Sequence, residues 1–177
     1  MSKPNRVTGL PVQVAIDDLA FVAADAIARP VTASLRATTA LLRRFELAGG
    51  AALARQLRFA EPLPVGSAVV TGAGELDVEL IIHAVVSSDD EPVSRNTVRQ
   101  ALASALHRAA DFGIERLAVP PFGLGAGNLD VEDCAGVMLD VIQRHLRAGR
   151  PPSHIIVVVE NDHEADAFRL RLSRTAA

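Results

Sequence analysis

Several residue types are scarce in this sequence, and each scarcity narrows the possible structures. Cys134 is the one cysteine among 177 residues, so an internal disulfide framework is excluded and a reducing compartment is indicated. Tryptophan and tyrosine are absent, and all six aromatic residues are phenylalanine, so aliphatic side chains must fill the core. No apolar run approaches the ~20 residues that span a bilayer. We therefore expect a cytoplasmic protein with no membrane contact.

An excess of positive charge is also missing. The formal net charge is -3 at pH 7, whereas proteins that bind nucleic acid usually present a basic face. Nucleic acid is therefore not an expected partner. The five histidines show none of the spacings typical of zinc ligands, so we predict neither a metal site nor a cofactor.

Hydrophobic residues make up 49% of the chain, and apolar runs of strand length alternate with runs of helical periodicity. This alternation predicts one α/β layered domain over residues 1–177, with a loose start at residues 1–9. Strands are predicted over residues 11–16, 19–28, 67–71, 79–86, 114–119 and 155–159. Pro30 is expected to end the second strand, because proline cannot donate to a ladder.

Four helical stretches are predicted between these strands. Residues 32–57 are helical in composition, with a break at Gly49-Gly50. A second helix begins at a Ser94 cap and ends at Gly113, a third covers residues 131–146, and a last one begins at an Asn161 cap.

A glycine-rich loop joins the strand at 114–119 to the third of these helices. Gly123, Gly125 and Gly127 alternate along it, and such a turn before a helix start offers free N–H groups to an anion. One interpretation is a phosphate cradle, and the other is a flexible turn. The acidic helix start at Asp130 weighs against the cradle, because its carboxylate competes for the same N–H groups.

Candidates for catalysis are few. Cys134 falls on the buried stripe of its helix with no base nearby, so it is not expected to be a nucleophile, and we predict no catalytic residue. Asp18 follows the first strand and either accepts a hydrogen bond from an exocyclic amine, such as that of adenine, or is simply solvated. A cluster of arginines forms either an anion-binding patch or, as we favour, a solvated helix face: Arg36, Arg43, Arg44, Arg55 and Arg58.

Several segments together resemble the macrodomain family, whose members typically bind ADP-ribose. Residues 64–71 (PVGSAVVT) and 80–85 (LIIHAV) are similar to the family's GEAVVT and VIHAV segments, and residues 121–127 (PFGLGAG) to its second phosphate loop. Residues 16–20 (IDDLA) occupy the place of its Gly-Asp-Ile-Thr strand end, and residues 25–32 (DAIARPVT) that of a strand ending Val-Asn-Ala-Ala-Asn.

The resemblance implies a three-layer α/β/α fold with a mixed, mostly parallel sheet of six strands and helices on both faces. It places adenine at Asp18 and Leu19, and the diphosphate at the second loop, which comprises Gly123, Leu124, Gly125, Ala126, Gly127 and Asn128. Arg29 and Thr32 stand where the family has asparagines that line the distal ribose. Residues 38–44 (TTALLRR) replace a Gly-rich first loop.

These departures lead to three hypotheses of function. The first is a binding module for ADP-ribose or a related phosphorylated nucleoside, with ADP-ribosylated protein as a further partner. The second is a degenerate macrodomain that acts as a structural or protein-interaction module. The third is an ADP-ribosyl or O-acetyl-ADP-ribose hydrolase. Arg29 is expected either to pair with a phosphate or to fill the pocket and close it.

Overall fold

The computed structural model describes residues 10–58, 61–125 and 129–176; the predicted loose start lies outside these ranges. Eleven elements follow in the order β1 (Val12–Ile16), β2 (Ala26–Thr32), α1 (Ala40–Ala48), α2 (Gly50–Gln56), β3 (Ala68–Gly72), β4 (Leu80–Ser87), α3 (Arg95–Asp111), β5 (Arg116–Val119), α4 (Val131–Arg147), β6 (His154–Val159) and α5 (Asp162–Thr175). No helix within the described ranges is long and apolar enough to cross a membrane.

The strands form one six-stranded sheet in the order β1-β6-β5-β2-β4-β3. Every neighbouring pair is parallel except β3 with β4, which is antiparallel. Helices cover both faces: buried residues of α3, α4 and α5 pack on one side, and those of α1 and α2 on the other. The expected mixed, mostly parallel sheet between two helical layers is therefore confirmed.

The central strands are buried on both faces, as their apolar composition requires. In β2, Ala26 and Ala28 face the layer of α3 and α4, whereas Ile27 faces that of α1 and α2. Residues of β5 and β6 alternate in the same way. Because β2, β4, β5 and β6 are parallel, their carboxyl ends lie at one edge of the sheet. Open α/β sheets bind their ligands at this edge.

The prediction for the second strand was wrong in both bounds. The structure has a strand over Ala26–Thr32 rather than 19–28, and Pro30 lies buried inside it. Proline is tolerated there because β5 pairs only with Ala26 and Ile27. At Pro30, β2 is paired on the β4 side alone, so no ladder hydrogen bond is lost on the other side.

The helix predicted over 32–57 begins later than expected. Residues 33–39 form a turn instead, in which Leu35 has a φ of 61° and Ala37 forms a bridge with Val31 of β2. Helix α1 starts only at Ala40. The predicted break at Gly49-Gly50 is confirmed, since α1 and α2 are separate helices that meet there.

The other helix starts agree with their predicted caps. Ser94 accepts a hydrogen bond from Thr97 N and takes part in a capping box, Asp130 accepts from Asp133 N, and Asn161 accepts from Glu164 N. Each cap satisfies an N–H group that has no partner within its helix. These local signals fix where α3, α4 and α5 begin.

Candidate functional site

A cleft of about 440 Å³ lies at the carboxyl ends of β5 and β6. Three segments line it: residues 38–44 at the start of α1, residues 120, 121, 124 and 125 after β5, and the acids Glu160 and Glu164 after β6. The first segment replaces the Gly-rich first loop, and the second is the described part of the glycine loop. Tertiary structure thus brings both loops of the sequence prediction to one cavity.

The α1 side of the cleft offers hydrogen-bond donors. The Oγ1 of Thr39 accepts a hydrogen bond from Leu42 N at 3.2 Å and caps the helix. Among the described residues, the N–H groups of Ala40 and Leu41 have no acceptor. They point along the helix axis with its positive dipole end, which favours an anion.

Two arginines of α1 add formal positive charge to the same side. Arg43 and Arg44 are exposed and line the cleft. Within the described ranges, neither guanidinium forms an ion pair. Both belong to the arginine cluster for which a solvated helix face is the interpretation favoured from the sequence. In the structure, these two arginines lie at the cleft.

The glycine loop forms the wall opposite α1. Gly123 is buried with a φ of +89°, and Gly125 is exposed with a φ of +73°, conformations that favour glycine. A Cβ added to Gly125 would lie 2.8 Å from the Thr39 Cγ2 atom. The two loops are therefore in van der Waals contact at this point. Ala126, Gly127 and Asn128 lie outside the described residues.

Two sulfur atoms of helix α4 form hydrogen bonds with the backbone of the glycine loop. The backbone N–H of Phe122 donates to Met138 Sδ at 3.1 Å, and Cys134 Sγ donates to Phe122 O at 2.7 Å. Burial, aided by the charge of Glu164, raises the pKa of Cys134 to about 12. The thiol is thus a protonated hydrogen-bond donor.

The acidic side of the cleft follows β6. Glu164 accepts a hydrogen bond from Glu160 N at 2.9 Å, and the Glu160 side chain is exposed. Neither glutamate is among the site residues predicted from the sequence. A carboxylate at a strand end is the signal that indicates Asp18, and Glu160 shows the same signal after β6.

Asp18 lies close to this acidic side but outside the lining of the cleft. It is exposed, and its Oδ1 accepts a hydrogen bond from Ala20 N at 2.9 Å. Its neighbour Asp17 joins β1 to the end of β6, because Asp17 N donates to Val159 O at 3.4 Å. Leu19 is buried among the residues beneath α1 and α2.

Arg29 lies in the interior rather than at the cleft. Its side chain is fully buried, forms an ion pair with Glu46 of α1 and lies over the Phe45 ring, 5.9 Å from the centroid. Arg29 Nε donates to His83 Nδ1 at 2.9 Å. Neither expectation from sequence, a phosphate contact or a plug in the pocket, describes this position. A ligand in the cleft does not reach the guanidinium in this conformation.

The buried arginine fixes the protonation state of its histidine partner. Because His83 Nδ1 accepts from Arg29, the ring proton resides on Nε2, which lies 2.8 Å from Thr71 Oγ1. Burial, and next the charge of Arg29, hold the pKa of His83 well below its usual value. Burial also lowers the pKa of Arg29, opposed by Glu46, but a guanidinium stays protonated. Arg29 is therefore charged and His83 is neutral, so this pair places one positive charge between β2 and β4.

Thr32 lies at the end of β2, also outside the cleft lining. Its Oγ1 accepts a hydrogen bond from Arg36 N at 3.2 Å, and its N–H donates to Arg36 O at 3.0 Å. The side chain thus closes the turn before α1. Thr32 lines a neighbouring cavity of about 370 Å³ with Ser87, Asp89 and Asp90.

Comparison with known proteins defines the family. The Macro domain family model matches residues 30–138, and the chain belongs to this family. A relative from Mycobacterium tuberculosis (strain ATCC 25618 / H37Rv) is 29% identical over 166 residues, which cover 93% of this chain and 45% of that protein. The chain thus spans less than half the length of that relative.

Solved structures share the fold. A mutant of the Oceanobacillus iheyensis macrodomain with ADPR has a TM-score of 0.81 and 16% identity over 92% of each chain. The same macrodomain with ADP has a TM-score of 0.80 and 16% identity, over 92% of this chain and 90% of that one. At such identities the likeness concerns the fold alone.

Proposed function

We propose that this chain is a binding module for ADP-ribose or a related phosphorylated nucleoside, and that it binds without strong hydrolase activity. The observation that carries the proposal is the cleft at the carboxyl ends of β5 and β6. It combines a glycine backbone with N–H groups at the start of α1 and two arginines, and these groups have no hydrogen-bond or ion-pair partner in the described part of the chain. These are the groups that bind phosphate in proteins. The proposal accords with the ADPR that the Oceanobacillus iheyensis macrodomain mutant contains.

The ligand is proposed to lie across the cleft with its phosphates between α1 and the glycine loop. Ala40 and Leu41 donate from one side, and the loop that begins at Gly123 donates from the other. The base lies toward Asp18, at the joined ends of β1 and β6. One oxygen of Asp18 already accepts from Ala20 N, which leaves the other to accept from an exocyclic amine.

A degenerate module without a ligand is the second candidate, and the contact between Thr39 and Gly125 favours it. Where two walls of a cleft touch, a ligand must separate them before it can bind. In this case the protein retains the fold for a structural or protein-interaction role. Binding of ADP-ribose would contradict this candidate.

Hydrolysis of an ADP-ribosyl or O-acetyl-ADP-ribose ester requires a general base or a positioned water. The carboxylates that line the cleft are Glu160 and Glu164, and the second is engaged with the backbone of the first. We expect no turnover of such esters beyond the uncatalysed rate. Turnover that disappears in a Glu160→Gln variant would show instead that the cleft is catalytic.

Thermal unfolding with ADP-ribose, ADP, AMP and adenosine tests the proposal. A ligand at a hundred times its dissociation constant stabilises the folded state by about 2.7 kcal/mol. For a chain of this length we expect the midpoint to rise by about 5–11 °C. Adenosine lacks phosphate and should produce a much smaller shift. A midpoint unchanged by all four compounds would contradict the proposal and support the structural module.

A further inference from the structure

We infer that Arg43 and Arg44 select a nucleotide that ends in a free phosphate, such as a nucleoside 5′-diphosphate, over ADP-ribose itself. This inference rests on the proposed function and makes its ligand class narrower. Both compounds carry a diphosphate. In ADP the second phosphate is terminal, whereas in ADP-ribose it is esterified to a neutral sugar.

The two ligands differ in charge at neutral pH. A terminal phosphate has a second ionisation with a pKa of about 6, so it approaches two negative charges at pH 7. The second phosphate of ADP-ribose, bound to the first by an anhydride and to the sugar by an ester, carries one. ADP therefore presents about one more negative charge than ADP-ribose, and that charge lies at the end of the molecule.

The cleft holds two positive charges, those of Arg43 and Arg44. Arg43 and Arg44 are consecutive residues of α1 that line the cavity, and within the described ranges they form no ion pair. Their side chains leave the helix about 100° apart, so they approach the cavity from two directions. A guanidinium binds phosphate oxygens with two parallel hydrogen bonds, and a terminal phosphate has three such oxygens.

The opposite side of the cleft is negative and therefore orients the ligand. Glu160 and Glu164 line that side, and among the described residues no ion pair joins them to the arginines. Carboxylates repel phosphate but accept hydrogen bonds from sugar hydroxyls. A nucleotide thus places its nucleoside toward the glutamates and its phosphate end toward Arg43 and Arg44.

The contact between Thr39 and Gly125 also favours ADP over ADP-ribose. Thr39 Cγ2 touches the Cα side of Gly125, since an added Cβ there would lie at 2.8 Å. A ligand whose phosphates lie between these walls must push them apart, and one that continues into a second sugar must push them further. The contact therefore disfavours ADP-ribose more than ADP.

Isothermal titration with ADP, ADP-ribose and AMP tests the inference on the whole chain. We expect ADP to bind at least about fivefold more tightly than ADP-ribose at pH 7.5. Each of the two exposed charge contacts adds only a small amount to the binding free energy. The double variant Arg43→Gln/Arg44→Gln should lose this preference. The variant Arg55→Gln/Arg58→Gln removes the same charge from exposed positions of the chain outside the cleft and should keep it.

The pH dependence of the unmodified protein provides a second measurement that needs no variant. Arginine stays charged throughout, whereas a terminal phosphate loses its second charge below about pH 6. The ratio of the two affinities should therefore fall between pH 7.5 and pH 5.5. High salt should reduce it as well.

Different results would contradict the inference and the proposed function. Equal or tighter binding of ADP-ribose than of ADP, or an equal loss of both in Arg43→Gln/Arg44→Gln, overturns the inference and leaves the proposed function intact. If none of the phosphorylated compounds binds, the proposed function fails and the inference fails with it.

Discussion

Gly125 is the residue at which the two walls of the cleft meet. It combines a positive φ with a neighbour, Thr39, that leaves no space for a side chain. Its position in a glycine-rich turn was readable from the sequence. Its contact with the first loop was not, because that contact depends on where α1 packs.

Replacement of Gly125 by alanine should weaken nucleotide binding strongly. The added Cβ would collide with Thr39 Cγ2 at 2.8 Å, and the φ of +73° costs about 1 kcal/mol for any side chain.

Gly113→Ala is the matched control, because Gly113 has a φ of +67° and open space around it. Urea unfolding should show a loss of about 1 kcal/mol in both variants, whereas titration with ADP should show weaker binding in Gly125→Ala alone. Unchanged affinity in that variant would contradict the site assignment.

His83 contributes to stability through a contact that its sequence context does not reveal. His83 lies within the apolar strand β4 and is fully buried. The sequence offered no sign that its partner would be Arg29, which lies on the neighbouring strand. The register between β2 and β4 places the two residues opposite each other.

The free energy of unfolding should fall as the pH drops below about 6.5, and His83 should account for part of the slope. Burial and the charge of Arg29 hold the pKa of His83 well below its unfolded value, so the folded state binds fewer protons than the unfolded state in this range. The stability contribution is complete above the unfolded pKa and is lost as the pH falls. Each pH unit costs at most about 1.4 kcal/mol per group.

Urea unfolding between pH 7.5 and pH 5 measures this slope. His83→Gln should reduce it, because glutamine fills similar space and does not titrate. Part of the slope should remain, since partial burial also lowers the pKa of His145. Equal slopes in the unmodified protein and His83→Gln would contradict this, because they would show that His83 binds protons equally in the folded and unfolded states.

Helix α1 has two separate tasks: it packs on the sheet and it forms one side of the cleft. Leu42 and Phe45 are its buried residues, whereas Arg43 and Arg44 lie on the cleft side. The ion pair between Glu46 and Arg29 holds the helix to β2. The sequence predicted helical composition here but placed the start eight residues too early, at Thr32 instead of Ala40. The turn at residues 33–39 depends on tertiary contacts, such as the hydrogen bond from Ala33 N to Ser87 O.

The cap of α1 can be separated from its contact with the glycine loop. Thr39→Ala removes the hydrogen bond to Leu42 N and should destabilise the protein by about 1 kcal/mol. Thr39→Ser keeps the hydroxyl but removes the methyl group that touches Gly125, so stability should change less and the cleft should open. Denaturant unfolding together with ADP-ribose titration distinguishes the two effects. Tighter binding of ADP-ribose is expected for Thr39→Ser, and weaker binding would contradict the role of this contact.

Helix α4 was the best predicted element, for a physical reason. Its buried stripe, the Asp130 cap and the basic last turn are local signals, and the helix covers Val131–Arg147 against a prediction of 131–146. Local hydrogen bonds and a periodicity of 3.6 residues need no knowledge of the rest of the fold. Strand β2 was predicted poorly because the tolerance of Pro30 depends on how far a neighbouring strand extends.

One continuous sheet connects the described parts of the molecule. Its two edges come from β1 and β3, and helices cover both faces. The prediction that residues 1–177 form a single domain therefore implies one cooperative unfolding transition. Circular dichroism at far-ultraviolet and near-ultraviolet wavelengths should give coincident melting curves. Two separated transitions would indicate that parts of the chain unfold independently.

The sequence by itself determined the class of fold, the family and most helix starts, because alternating periodicities, caps and motif segments are local properties of the chain. The tertiary structure alone decided which charged residues share a cavity. Arg43 and Arg44 meet Glu160 only because α1 and the end of β6 converge at one edge of the sheet. It also decided that Arg29 belongs to the core, since burial of a cation depends on partners such as Glu46 that come from another element.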